Sequence, residues 1–121
     1  MSRIAIVGSR GLHAWVDVSN FVQSLPEDDE IVSGGAFGVD TDAASAAVVH
    51  HRKLVEFKPD YFKYGHTAPH VRNQEIAEYA DRCVAFWDGK SRGTLDTVRR
   101  FKKLGKPVEV RKIGDGEVGK C

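Results

Sequence analysis

The sequence predicts a doubly wound α/β domain with about five mainly parallel strands and about four helices. Short apolar runs recur along the chain, helix-compatible stretches separate them, and glycine-bearing turns close the first two runs. This alternation is typical of a parallel sheet covered by helices on both faces. A length of 121 residues with 41% hydrophobic content suits one compact core. We assign residues 1–113 to the domain and residues 114–121 to a polar C-terminal tail.

Five apolar runs are the predicted strands, and polar or turn-forming residues bound each of them. They span residues 4–7, 31–32, 54–57, 83–86 and 107–110. A first helix carries its apolar face from Trp15 to Leu25, because the apolar residues between them lie three or four positions apart. Pro26 ends that helix. An alanine-rich second helix runs from Val39 to about residue 50.

The second half of the chain carries two more predicted helices and one exception. The third helix begins near residue 72. Gly93 or Thr94 caps the fourth, which ends at Gly105, a residue suited to the left-handed conformation beyond a helix. Aromatic residues in segment 59–69 show no steady period, so we expect a loop there that lies over a site.

Charge and cysteine content exclude several classes of protein. A formal charge of +1 gives no global argument for nucleic acid or an anionic membrane. Residues 99–121 hold eight basic and three acidic residues, which we interpret as a solvated helix face and tail in preference to a DNA-binding surface.

The first apolar run is too short for a signal peptide or a membrane span, so we expect a cytoplasmic protein. Cys83 and Cys121 are expected to be free thiols, and no residues have metal-ligand spacing, so no metal is predicted.

Two glycine-bearing turns predict a phosphate-binding cradle. Glycine lets the main chain approach a ligand, and a helix beginning beyond such a turn presents unpaired N–H groups to an anion. Tight turns need no ligand, but two clusters on successive strand ends favour phosphate binding over turn formation alone. For the strand order 3-2-1-4-5, the ligand crevice lies at the carboxyl edge between the first and fourth strands. The candidate glycines are Gly8, Gly34, Gly35 and Gly38.

Polar side chains at the same edge are candidate ligand contacts. Arg10 and Arg72 are placed to clamp phosphate as bidentate donors, although an exposed arginine is commonly just solvated. Ser91 and Thr94 offer hydroxyls to phosphate or ribose, and Thr94 equally suits a helix cap. Asp40 is a candidate ribose acceptor, yet a carboxylate at a helix N-terminus is stabilised without a ligand.

Asp88 and Asp96 are weak candidates for a catalytic acid or base, because burial at this edge would raise their pKa. Capping explains Asp96 more simply. Phe37 and Trp87 follow the second and fourth strands, where a purine can stack. We favour core packing for Phe37 and leave both roles open for Trp87.

Four segments follow the first four predicted strands in turn and carry a resemblance to a known superfamily. They are Gly8-Ser9-Arg10, Ser33-Gly34-Gly35-Ala36-Phe37-Gly38-Val39-Asp40, Arg72-Asn73 and Trp87-Asp88-Gly89-Lys90-Ser91-Arg92-Gly93-Thr94. Together they resemble the SLOG superfamily of Rossmann-like domains. That superfamily includes the DNA-processing protein A (Smf) module and the LOG-type phosphoribohydrolases. Its small single-domain branch, the YspA or cpYpsA-related family of bacteria and phages, is the most similar. The resemblance covers residues 4–110.

The resemblance implies a pocket for a nucleotide, a nucleotide sugar or an NAD-derived signal, and a homodimer or higher homo-oligomer. By resemblance, the lining comprises Gly8, Ser9, Arg10, Gly34, Gly35, Arg72, Ser91, Gly93 and Thr94. We add Phe37, Gly38, Asp40, Asn73, Trp87 and Arg92 as further candidate contacts. The LOG-type signature ends in a catalytic glutamate, whose place Thr97 occupies here.

Three functions remain open at this point. The leading one is binding of a nucleotide-derived ligand, as a sensor or sequestering protein that requires no cofactor. The second is cleavage of an N-glycosidic bond with help from Asp88 or Asp96, so whether the chain is an enzyme is undecided. The third is single-stranded DNA binding through residues 33–40, which match the DNA-processing module, and through the basic region that begins at Arg99.

Overall fold

Five parallel strands form one sheet in the computed structural model, which describes residues 1–35 and 38–113. The strands are Arg3–Gly8 (β1), Glu30–Ser33 (β2), Lys53–Glu56 (β3), Arg82–Trp87 (β4) and Val108–Lys112 (β5). Their order in the sheet is β3-β2-β1-β4-β5, and every neighbouring pair is parallel. The predicted fold class is therefore confirmed. Because β1 and β4 are neighbours, the chain changes direction across the sheet between them, and their loops flank one crevice.

Helices cover both faces of the sheet, because the strand side chains alternate between two apolar layers. The helices are Trp15–Ser24 (α1), Val39–Val49 (α2), Tyr61–Tyr64 (α3), Ala68–Tyr79 (α4) and Arg92–Lys103 (α5). Ile4 and Ile6 of β1 pack with α1 and α2. Ala5 and Val7 pack with α4 and α5 on the other face. No helix in the described part of the chain has the length and apolar character that a membrane span requires.

Cys83 lies in the second of these layers as a free, buried thiol. Burial raises its pKa to about 12, so the thiol stays protonated and unreactive at neutral pH. The predicted free thiol at this position is confirmed. Cys121 and the predicted tail, residues 114–121, lie outside the described residues.

The prediction of a loop over residues 59–69 is wrong. Asp60 caps α3 by accepting a hydrogen bond from the Lys63 backbone N–H at 3.0 Å, a 3-10 turn spans Gly65–Thr67, and α4 begins at Ala68. Single helical turns show no apolar period, so the pattern could not reveal them. Arg72 and Asn73 consequently lie in the second turn of α4, one turn later than predicted.

The predicted cap of α5 is also corrected. Ser91 is the capping residue, and its Oγ accepts from the Thr94 backbone N–H at 3.4 Å. Gly105 has a φ of +72° just beyond the helix, as predicted.

The end of α4 is held by a lysine side chain: the Lys106 Nζ donates to the carbonyl oxygens of Ala77, Glu78 and Ala80 at 2.7, 2.9 and 2.8 Å. Carbonyl groups at a helix end need such partners, so Lys106 fixes the helix that carries Arg72.

Candidate phosphate-binding site

A cavity of about 420 Å³ opens at the carboxyl edge of the sheet. Its lining comes from the end of β1 and the turn after it, the turn after β2, the starts of α2 and α5, the segment after β3, and α4. The predicted site residues that line it are Gly8, Arg10, Gly34, Gly35, Asp40, Arg72, Asn73, Ser91, Gly93 and Thr94. Four separate stretches of sequence therefore meet where the switch in strand order places a ligand crevice.

Several predicted contacts are not among the described residues that line this cavity. Ser9 is buried, and its Oγ accepts from the Asp88 backbone N–H at 3.1 Å, so it joins two turns. The Trp87 Nε1 donates to the Ser91 carbonyl oxygen at 3.0 Å. Arg92 is exposed on the first turn of α5. Phe37 lies outside the described residues.

The four candidate glycines divide into two pairs with different roles. A Cβ on Gly8 would overlap the Phe86 carbonyl oxygen and the Val39 side chain. Gly38 has a φ of +78°, and a Cβ there would overlap the carbonyl oxygens of residues 9, 10 and 12. These two glycines let the turns pack against each other, although Gly8 also reaches the cavity lining. Gly34 and Gly35 line the cavity beside charged side chains.

Arg72 is half-buried and held in a fixed orientation. Its Nη1 donates to the Gly34 carbonyl oxygen at 2.5 Å, and its Nε donates to the Asn73 Oδ1 at 2.8 Å. Burial lowers the pKa of Arg72, the electrostatic interactions with Asp40 and Tyr61 oppose that shift, and the nearby Arg10 lowers it further. A Cβ on Gly34 would lie 2.8 Å from the Arg72 Nη1, so the absence of a side chain there makes room for the guanidinium.

Asp96 supports this arrangement from behind the lining. Its Oδ2 accepts from the Asn73 Nδ2 at 2.9 Å and from the Arg100 Nε at 2.8 Å, and it lies 3.5 Å from the His70 Nδ1. Burial alone would raise the pKa of Asp96, but the bonds from Arg100 and Asn73 and the Arg100 charge outweigh it and lower the pKa. Asp96 is therefore ionised at neutral pH. It positions Asn73 and holds no proton to donate as a general acid.

We expect the stabilising effect of Asp96 to depend on pH in one direction. A carboxyl whose pKa is lowered in the folded state stabilises the fold above its unfolded pKa of about 4, and the effect is lost as pH falls through the folded pKa. Chemical denaturation of Asp96→Asn should thus give a lower free energy of unfolding than the wild type at pH 7, with the difference shrinking toward pH 3. Asp17→Asn, on the exposed face of α1, is the matched control. A difference that stays constant with pH would contradict the role of the ionised carboxylate.

Asp88 stabilises the turn after β4. Its Oδ1 accepts from the backbone N–H groups of Lys90 and Ser91, both at 2.8 Å, and these two bonds lower its pKa. The carboxylate shapes the loop that places Ser91 at the cavity. Neither Asp88 nor Asp96 is among the described lining residues, so the geometry gives no support to catalysis of N-glycosidic cleavage by either one.

One wall of the cavity comes from the segment that the sequence analysis expected to lie over a site, without singling out the residues that reach it. Pro59 and Tyr61 reach the lining from the start of the segment between β3 and α4, and Pro69 and His70 reach it from the first turn of α4. The cluster of aromatic residues in this segment was the available signal, and it did not show which ring faces the site. Val7, Ile76 and Thr97 complete the lining.

Together these features define an α/β domain of the Rossmann-like class with a cavity, lined in part by two arginines, at its topological switch point. Solved structures share the fold. DNA processing protein A from Streptococcus pneumoniae matches with a TM-score of 0.81 and 23% identity, over 96% of this chain and 53% of that one. DNA processing protein A from Helicobacter pylori, whose structure describes a single-stranded DNA binding mode, matches with a TM-score of 0.70 and 20% identity, over 98% of this chain and 72% of that one.

The chain thus spans about half the length of the Streptococcus protein. No protein-family model and no curated protein matches the sequence. The predicted relation to the DNA-processing module is confirmed for the fold.

Proposed function

We propose that the cavity binds the phosphate group of a nucleotide or nucleotide-derived ligand. One observation carries the proposal: Arg10, from the turn after β1, and Arg72, from α4, line the same cavity as the first turn of α5 and are close enough to repel each other. Guanidinium groups bind phosphate bidentately. The N-terminus of a helix attracts anions through its unpaired N–H groups and its dipole.

The charges in the cavity favour an anionic guest. Arg10 and Arg72 repel each other, and Arg72 is also partly desolvated. Asp40 is the carboxylate among the described lining residues, and it compensates this positive charge only in part. An anion bound beside the two guanidinium groups would reduce the repulsion between them and would offset the cost of desolvating Arg72.

The size and make-up of the cavity narrow the ligand class. A volume of about 420 Å³ lies within the range of roughly 300–1,000 Å³ common for small-molecule sites. The hydroxyls of Ser91 and Thr94 add donors for phosphate or ribose. The resemblance of the four sequence segments to SLOG domains supports the same class of ligand. The proposal requires no metal or cofactor.

Thermal unfolding with a ligand panel tests this proposal. The panel comprises inorganic phosphate, ribose 5-phosphate, nucleoside monophosphates, NAD, ADP-ribose and cyclic dinucleotides. A ligand at a hundred times its Kd stabilises the folded state by about 2.7 kcal/mol, which would raise the Tm by roughly 8–15 °C in a domain of this size. The uncharged nucleosides are the control and should give a much smaller rise. No rise with any phosphate-bearing ligand would contradict the proposal.

Single-stranded DNA binding is a second candidate, which the fold shared with the Helicobacter pylori protein favours. Its chemistry overlaps with the first, since each unit of the strand presents a phosphate. Anisotropy of a labelled oligothymidylate, measured between 50 and 200 mM salt, distinguishes the two. Binding that weakens steeply with salt, and is displaced by a mononucleotide, would place the strand in the cavity. Mononucleotide binding without any oligonucleotide binding at low salt would remove this candidate.

A further inference from the structure

The wall formed by the segment before α4 and its first turn adds ring-bearing residues to the cavity. Pro59, Tyr61 and Pro69 lie in the lining together with the charged residues Arg10, Asp40 and Arg72. A ligand that consists of phosphate alone has no use for such a wall. A nucleobase has two flat faces that stack on aromatic rings.

Tyr61 is the aromatic residue among the described residues that line the cavity, His70 aside. It is 56% exposed, so its side chain is accessible to a ligand. Its backbone is nonetheless fixed, because Gly65 N–H donates to the Tyr61 carbonyl oxygen and the cap at Asp60 closes the same turn. Tyr61 is also near enough to Arg72 to affect the pKa of the guanidinium, so the ring and the phosphate clamp belong to one site.

We propose that the Tyr61 ring is the platform on which the base of the bound nucleotide stacks. The inference rests on the proposed phosphate site and names its ligand class more closely: a nucleoside phosphate with an intact base. Stacking accepts any base, because every base has a π-face. Tyr61 therefore contributes affinity without choosing among the four bases.

Two other aromatic side chains near this edge, both among the described residues, do not fit the role. The Trp87 indole is bonded to the Ser91 carbonyl oxygen and does not line the cavity. Phe62 follows Tyr61 directly and is fully exposed, but it is not among the described residues of the lining. The adjacent position thus supplies a matched control of the same kind.

Two ligands and three variants test the proposal. Calorimetric titrations of wild type, Tyr61→Ala, Tyr61→Phe and Phe62→Ala are carried out with adenosine 5′-monophosphate and with ribose 5-phosphate. We expect Tyr61→Ala to bind the nucleotide about 10-fold more weakly and ribose 5-phosphate within about 2-fold of wild type. Tyr61→Phe keeps the ring and should bind both ligands like the wild type, and Phe62→Ala should also be unchanged. An unchanged Tm of each variant shows that the fold is intact.

The outcomes distinguish the stacking proposal from the phosphate-site proposal on which it rests. Equal binding of the two ligands by the wild type would overturn stacking and leave the phosphate site standing. A Tyr61→Ala variant that loses both ligands in equal measure would do the same, because Tyr61 would then act on the phosphate clamp. Failure of both ligands to bind the wild type would overturn both proposals.

Discussion

Replacing Arg72 by methionine is expected to weaken nucleotide binding about 30-fold or more, which corresponds to a loss of about 2 kcal/mol or more. The guanidinium is held by Gly34 and Asn73 before any ligand arrives, so its charge is already aimed into the cavity. Methionine keeps much of the side-chain volume and removes the charge. We expect the free energy of unfolding to change by less than about 1 kcal/mol, because relief of a partly desolvated charge offsets the lost hydrogen bonds.

Arg82→Met is the matched control for this measurement. Arg82 is also half-buried, but it begins β4 and therefore lies at the opposite edge of the sheet. Its replacement should leave the Kd within about 2-fold of wild type, a shift far below the 1.4 kcal/mol that a tenfold change represents. Equal loss of binding in the two variants would show a general effect of net charge. Unchanged binding in Arg72→Met would remove Arg72 from the site.

Gly38→Ala should have the largest effect on stability, a loss of more than about 3 kcal/mol. Gly38 has φ +78° and ψ −124°, a region that costs a residue with a side chain roughly 1–3 kcal/mol. The new methyl group would also overlap three backbone carbonyl oxygens of the turn after β1, which cannot rotate away as a side chain does. A fall in Tm of about 10 °C or more is expected, measured by circular dichroism.

Gly65→Ala separates the two causes of that loss. Gly65 has nearly the same backbone conformation, with φ +57° and ψ −138°, but no heavy atom lies within 4 Å of the position that a Cβ would take. Its replacement should therefore cost only the backbone contribution, about 1–3 kcal/mol. Similar losses at the two positions would show that the overlap at Gly38 is relieved by a shift of the turn.

Sequence patterns located the elements whose signals are long or repeated. The five apolar runs fall within one or two residues of β1 to β5, and the βαβ alternation predicted a parallel sheet. The strand order was assumed from the commonest doubly wound arrangements, and the structure has that order. The gathering of Arg10, Gly34, Arg72 and Ser91 at one edge could be predicted for the same reason, because every loop that follows a parallel strand emerges there.

Residue patterns do not distinguish a residue that lines the cavity from one that only holds a turn together. Ser9 and Gly38 lie in the same motifs as the cavity residues, yet they hold turns together, and only the contacts of the folded chain distinguish the two roles. Asp96 resembled a catalytic acid by position. Its spacing of four residues from Arg100 is typical of an ion pair along one helix, but its second partner, Asn73, lies on α4, which spacing along the chain does not show. Tyr61 was hidden because its helix is one turn long.

The turn after β1 is held on two sides. Ser9 accepts from the turn after β4, and Gly38 packs against the carbonyl oxygens of the same turn. Arg10 stands between these two fixed points, so its main chain is ordered before any ligand arrives. Association then needs to immobilise only an exposed side chain, at a cost of about 0.5–1.5 kcal/mol. A ligand that binds at this edge meets a main chain that is already ordered, so little of the binding free energy is lost in ordering the protein.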